Sequence, residues 1–318
     1  MKNVTLLTSL LLFSSMGANA SDVETRIING SDTSSASYPS IASLVYESNG
    51  YFTVYCGATI LDNYHVLTAA HCIFGDDDAV NNTYVAPQLD NKNQYANDTI
   101  HKVKATNIYY PDSYRDSSVL AWPNDIAIVE VSQSLQVSSS EFVSLGQTTQ
   151  QDEYTETSLN HLAVGHGYTD NDYSDKDQLQ VTTLYVVEGC DIAFENGFRI
   201  CTSGYESSGS SLLNSTCQGD SGGPLYWDNN GEIIQIGITS FGPTECGVEY
   251  KDGNVEFTSV FTEVAAYNDW IDDVLAGRES PKIIVGSDPF NFGPSSGSMG
   301  VGGLLMVLAL AGTRRIKR

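Results

Sequence analysis

Through the middle of the chain, apolar residues come in short runs separated by clusters of Gly, Asn, Asp and Ser. The runs include Ile41 to Tyr46, Phe52 to Ile60, Tyr64 to Thr68, Ile126 to Val131, Leu179 to Val187 and Ile233 to Ser240. Between Leu179 and Tyr185 apolar and polar positions alternate, imperfectly, as on a strand with one face buried. Many short strands with turn residues between them predict an all-β protein. One stretch breaks the pattern. Val264, Tyr267, Trp270, Ile271, Val274 and Leu275 fall at helical spacing, which predicts a C-terminal helix packed on the strands.

The two ends read differently. Lys2, an apolar run from Leu6 to Phe13 and Ala18-Asn19-Ala20 give residues 1–20 the form of a secretory signal peptide. That run is too short to span a bilayer. Past Gly277 the composition shifts, and residues 277–298, rich in Gly, Ser, Pro and Asn toward their end, predict a flexible linker. Residues 299–318 form a tail in which an apolar stretch ends in Arg314, Arg315, Lys317 and Arg318. The stretch falls short of the ~20 residues of a full membrane span. There is no internal repeat.

With 318 residues, 41% of them hydrophobic, the chain can bury a sizeable core in one or two domains. Its formal net charge of −24 repels phosphate backbones, which excludes nucleic acid as a partner and favours solubility. Export places the six cysteines in an oxidising compartment, where they pair; their spacing alone does not choose the pairing.

The segment Gln218-Gly219-Asp220-Ser221-Gly222-Gly223-Pro224 puts a serine hydroxyl in a glycine-rich turn, directly after an acid. In such a turn the backbone N–H groups of Gly219 and Ser221 can converge on one point, the arrangement that stabilises a developing oxyanion. A serine is a poor nucleophile without a base. Thr68-Ala69-Ala70-His71-Cys72 supplies one, and Asp125, in Asn124-Asp125-Ile126-Ala127, can orient it. The other histidines, His65, His101, His161 and His166, sit in no such motif. No zinc-type His-Glu-x-x-His or paired Cys-x-x-Cys pattern occurs, so neither metal nor cofactor is expected. Asp76-Asp77-Asp78 and Asp90 do not have the spacing of a calcium loop and are read as a solvated acidic face.

In the order His71, Asp125, Ser221, these motifs resemble the chymotrypsin/trypsin family of serine proteases, from Ile27 to about Leu275. The resemblance implies two packed six-stranded antiparallel β-barrels with a C-terminal helix, in a protease domain of residues 27–276. It brings His71 and Asp125 from the first barrel and Ser221 from the second. Ser221 is then the nucleophile, His71 the general base and acid, and Asp125 the group that holds the imidazole; Gly219 and Ser221 make the oxyanion hole. It also implies the disulfides Cys56–Cys72, Cys190–Cys201 and Cys217–Cys246.

Residues 21–26 resemble a propeptide and Ile27-Ile28-Asn29-Gly30 an activation sequence. By resemblance an activating protease cleaves after Arg26, and the freed Ile27 amine pairs with Asp220. Ser240, Phe241 and Gly242 look like the segment that pairs with substrate backbone, with Ser240 also bonding Asp125. Ser215, Thr216 and Ser259 line the primary pocket. Ser215 stands where trypsins carry an aspartate, and a neutral base cannot compensate a buried substrate cation. Cleavage after apolar or aromatic residues follows. The alternative is Arg or Lys specificity supplied by Glu245, Glu249, Asp252 or Glu256 of the 242–259 loop.

The tail, with Gly302-Gly303, resembles the Gly-Gly C-terminal sorting signals of bacterial secreted proteins. That implies removal by a membrane protease, and an enzyme released or held at the cell surface. The partners expected are protein or peptide substrates and the two processing proteases, and the protein is expected to act as a monomer. Two rivals remain. An idle binding protein on the same scaffold would lack a triad member, and none is missing. An esterase with a Gly-x-Ser-x-Gly elbow would run Ser, acid, His, the reverse of the order here.

Overall fold

A computed structural model describes residues 27–169, 177–190, 198–207, 210–252 and 255–286. The signal peptide, the propeptide with Arg26, and the chain beyond Gly286 lie outside the described residues.

The alternating segments fold as two closed barrels. The first uses β1 (Ile41–Ser48), β2 (Tyr51–Ile60), β3 (His65–Thr68), β4 (Thr83–Pro87), β5 (Val103–Tyr109) and β6 (Ala127–Val131). They pair antiparallel in the order β1-β2-β3-β6-β5-β4, and β4 returns to β1. The second uses β7 (Asn160–Gly165), β8 (Gln180–Val186), β9 (Arg199–Gly204), β10 (Pro224–Asn229), β11 (Glu232–Phe241) and β12 (Ser259–Glu263). Its order, β7-β8-β9-β12-β11-β10 and back to β7, repeats that of the first. Closure leaves no barrel strand with a fully free edge.

Each barrel has its own core. Leu44, Ala58, Ile60, Val66, Val85, Ile108 and Val129 fill the first, and Leu184, Ile200, Leu225, Ile236 and Phe261 the second. Helix α1 (Asn268–Leu275) buries Ile271 and Val274 against Leu67, Ile126 and Ile128 of the first barrel and Ile238 of the second. The helical stripe in the sequence is thus a wedge at the junction, where one buried Ile is worth ~1.5–3 kcal/mol. Gly277, at φ +67°, ends the helix in the left-handed conformation that favours glycine. Polar bonds also cross the junction: Thr59 Oγ1 donates to Gln235 Oε1 at 2.6 Å, and Ser40 Oγ lies 2.9 Å from Tyr226 Oη.

Two expectations need refinement. The linker expected from Gly277 begins as an ordered strap: Ile283 and Ile284 pair antiparallel with Ile108 and Asn107 of β5. The acidic residues near Asp76 are exposed, as a solvated face would be, and also do local work. Asp76 caps a short helix by accepting from Ala79 N at 2.9 Å, Asp78 accepts from Tyr46 Oη at 2.9 Å, and Asp90 accepts from Ser35 N at 2.5 Å.

Candidate active site

β3 and β6 lie side by side, with Thr68 opposite Ala127. The chain leaving β3 turns through Ala70–Cys72, and the chain entering β6 brings Asp125, so the register sets His71 beside Asp125. His71 approaches the carboxylate twice: its backbone N donates to Oδ1 at 2.9 Å, and Nδ1 lies 2.8 Å from Oδ2. Ser240 Oγ donates to the same Oδ2 at 2.5 Å. Asp125 is 1% exposed, so three donors stand in for its lost water. Thr262 of the second barrel holds the Asp125 carbonyl at 2.8 Å.

Asn124 takes a left-handed backbone, φ 59°, and is pinned by its own side chain. Nδ2 donates to Ser113 O at 3.0 Å, and Oδ1 accepts from Tyr267 Oη at 2.9 Å. Burial alone would lower the His71 pKa, but the charge and hydrogen bond of Asp125 outweigh it and hold the imidazole above its ordinary value. A proton on Nδ1, donated to Asp125, leaves the lone pair on Nε2.

The Ser221 turn is built around Asp220. That carboxylate is 1% exposed; Oδ1 accepts from Gly167 N at 2.8 Å and Oδ2 from Cys217 N at 2.9 Å. Burial raises its pKa to about 6, against the pull of those two N–H groups and of Lys92. Gly165 and Gly167 close over it so tightly that a Cβ at either would fall 2.2 or 2.4 Å from its atoms. Gly219 (φ +97°) and Gly222 (φ +77°) need the glycine conformation to round the turn. Among the described residues the N–H groups of Gly219 and Ser221 meet no backbone acceptor, which leaves both open to a ligand.

Ser221 reaches the first barrel through backbone: Gly57 N donates to Ser221 O at 2.7 Å. Gly57 follows Cys56, which is bridged to Cys72, the neighbour of His71. Cys72 Sγ sits 3.9 Å from His71 Nε2. Among the described residues Ser221 Oγ has no hydrogen-bond partner; such contacts are often long without substrate and tighten in the complex. Among the described residues the group of metal-ligand residue types whose atoms fall within 4.8 Å of one another is Cys56, His71 and Cys72, and its two sulfurs are joined to each other.

The residues expected to line the primary pocket are largely buried. Ser215 is fully buried, and among the described residues its Oγ has no hydrogen-bond partner. Ser259 Oγ accepts from Thr216 N at 2.9 Å and lies 2.9 Å from Thr216 Oγ1. Gly242 lies against Thr258 O, where a Cβ would approach to 2.9 Å. Cys217–Cys246 staples the Ser221 loop to the strand end after Ser240, and Cys190–Cys201 ties the chain after β8 to β9. Ile27 is fully buried at the start of the described chain, and Ile28 packs on the Cys217–Cys246 bridge with Leu212 and Tyr168.

Two contributors, Trp122 and Arg199, were not singled out in the sequence, whereas His166 was. Trp122 packs against Phe241 with ring centroids 5.6 Å apart and the rings tilted by 42°, and the Arg199 guanidinium lies 5.2 Å from the Phe241 ring and donates to Ala121 O. His166 is a packing residue between the two closing glycines, its Nε2 2.9 Å from Leu89 O. The Gly-His-Gly triplet was the available signal for this contact; nothing local marks Arg199.

The family model described as Trypsin matches residues 27–271. Chymotrypsin-like elastase family member 1 of Homo sapiens is 30% identical over 282 residues, covering 85% of this chain and 100% of the relative. Chymotrypsin-like elastase family member 3B of Homo sapiens is 30% identical over 289 residues, with 86% and 98% covered. CLIP domain-containing serine protease B4 of Anopheles gambiae is 29% identical over 266 residues, with 78% and 70% covered. Matched over most of its length and folded as paired barrels around a serine-bearing turn, the chain belongs to the trypsin family of serine proteases and is a serine endopeptidase.

Proposed function

We propose that the chain is exported as a zymogen, switched on by cleavage after Arg26, and hydrolyses peptide bonds through His71, Asp125 and Ser221. The observation that carries this is the buried Asp125 carboxylate gripping His71 Nδ1 at 2.8 Å, with the Ser221 turn tied into the same barrel by Gly57. His71 Nε2 takes the Ser221 proton as Oγ attacks the scissile carbonyl. The tetrahedral oxyanion faces the Gly219 and Ser221 N–H groups. His71 then protonates the leaving amine, and water repeats the sequence on the acyl-enzyme. The buried Asp220 lacks a cationic hydrogen-bond partner in its two N–H contacts, and the freed Ile27 ammonium supplies one.

The substrate preference is for apolar or aromatic side chains. Ser215 offers no charge, and of the loop acids Glu249 accepts from Ser203 Oγ at 2.8 Å while Glu256 pairs with Lys251. The N-terminal signal and the Gly-Gly tail support export followed by tail removal at a membrane. Ser221→Ala is expected to abolish hydrolysis and fluorophosphonate labelling without changing the fold; turnover near wild type would discard the mechanism. A peptide panel varied at the cleaved residue should favour Phe, Tyr or Leu over Arg by about 100-fold. A preference for Arg would return the role to the acidic loop.

A further inference from the structure

The strap after α1 reaches the catalytic acid through a continuous series of contacts. β5 pairs with β4 only at Val103 and Lys104, so the backbone from Thr106 onward has an open side there. The strap fills it: Lys282 N donates to Ile108 O and Val285 N to Thr106 O, each at 2.8 Å. Ile283 and Val285, partly buried, pack on the first-barrel core, the same cluster that holds Tyr114 and borders Tyr110. Lys282 Nζ lies 2.8 Å from Asp112 Oδ1. Asp112 begins the loop that ends at Asp125, and the loop is tied across its base. Tyr114 N donates to Pro111 O at 3.0 Å, Arg115 N to Pro123 O at 3.4 Å, and Asn124 Nδ2 to Ser113 O at 3.0 Å. Asn124, held in its left-handed conformation by that last bond, sets the direction from which Asp125 meets His71.

We propose that Lys282, Ile283 and Val285 are positioning residues for Asp125, so the protease domain extends functionally to Gly286. This rests on the proposed role of Asp125. The exposed Lys282–Asp112 pair alone is a weak tie, and the strand pairing with its two partly buried side chains is the main one.

The test is the full chain carrying Ile283→Asn and Val285→Asn together. Activated, it should lose about tenfold in kcat with KM within about twofold, because a small misplacement of an orienting group acts on the chemical step. In the Ser221→Ala background, the low-field NMR resonance of the His71 Nδ1 proton should broaden or move upfield. That signal needs no turnover, so it reports on the strap even if Ser221 is not the nucleophile. A folded double variant with wild-type kcat and an unshifted resonance overturns the proposal. If the pair of substitutions prevents folding, Ile283→Ala takes its place with a threefold loss expected, and an unchanged kcat and resonance there overturn the proposal equally.

Discussion

Replacing Gly167 with alanine probes how the Ser221 turn is held. Gly167 lies outside the positive-φ region, so the substitution costs nothing in backbone strain and acts only through its new methyl group. That methyl would fall 2.4 Å from Asp220 Cγ and Oδ2 and 2.7 Å from Oδ1. An ordinary carbon contact is about 3.5 Å, so the carboxylate must shift by about 1 Å. Its bonds from Gly167 N at 2.8 Å and Cys217 N at 2.9 Å cannot both survive. A hydrogen bond to a charged group is worth ~1.5–3 kcal/mol, so stability should fall by about 2–5 kcal/mol. If the turn swings instead, Gly219 loses its aim and kcat falls about 10²–10³-fold, the usual effect of a lost oxyanion donor. Urea unfolding followed by tryptophan fluorescence gives the first quantity, and burst kinetics with an activated ester the second. Gly50→Ala is the control: it has φ +79° and nothing within 4 Å of the added atom, so it carries strain without a clash. A Gly167→Ala enzyme matching wild type in both unfolding midpoint and kcat would refute the reasoning.

In Arg26→Gln, which keeps the chain uncleaved, the stability contributed by Asp220 should be fully present below about pH 4 and roughly 2–4 kcal/mol of it lost as pH rises through about 6. Asp220, raised above its unfolded value by burial, binds its proton more tightly when folded, so stability is lost as that proton leaves. Cleavage supplies the Ile27 ammonium and should flatten the curve; urea melts that show the same slope in both forms would remove Asp220 from the switch. Asp125→Asn should cut kcat by about 10⁴-fold. It should also lower the His71 pKa, since the carboxylate is what holds it up, and move the acid limb of kcat/KM to lower pH. An NMR titration of His71 that shows no downward move would contradict that assignment of cause.

Much of the architecture was legible because period-two runs and turn residues specify strands locally. The C-terminal helix was legible for the same kind of reason, its apolar stripe repeating at helical spacing. The His71, Asp125 and Ser221 motifs were legible because each is a short contiguous pattern. Long-range partners were not. Arg199 reaches Phe241 and Ala121 from a distant strand, and no local pattern announces such a contact. The strap was hidden by its flanks: Pro281 and Gly286 read as linker, although Ile283-Ile284-Val285 between them is a β-branched run of the kind strands favour. Asp76 and Asp78 read as a charge cluster because helix capping depends on the conformation of the residues that follow.

The repeated strand order divides the chain into twin halves, and on the proposed mechanism neither half carries a working set of groups. His71 and Asp125 belong to one twin, and Ser221 with its paired N–H groups to the other. A ribosome that has finished only the first twin has made nothing able to cut its neighbours. A molecule whose twins have drifted apart under heat is equally harmless. Such self-silencing keeps a protein-cutting catalyst idle until both twins are folded and docked.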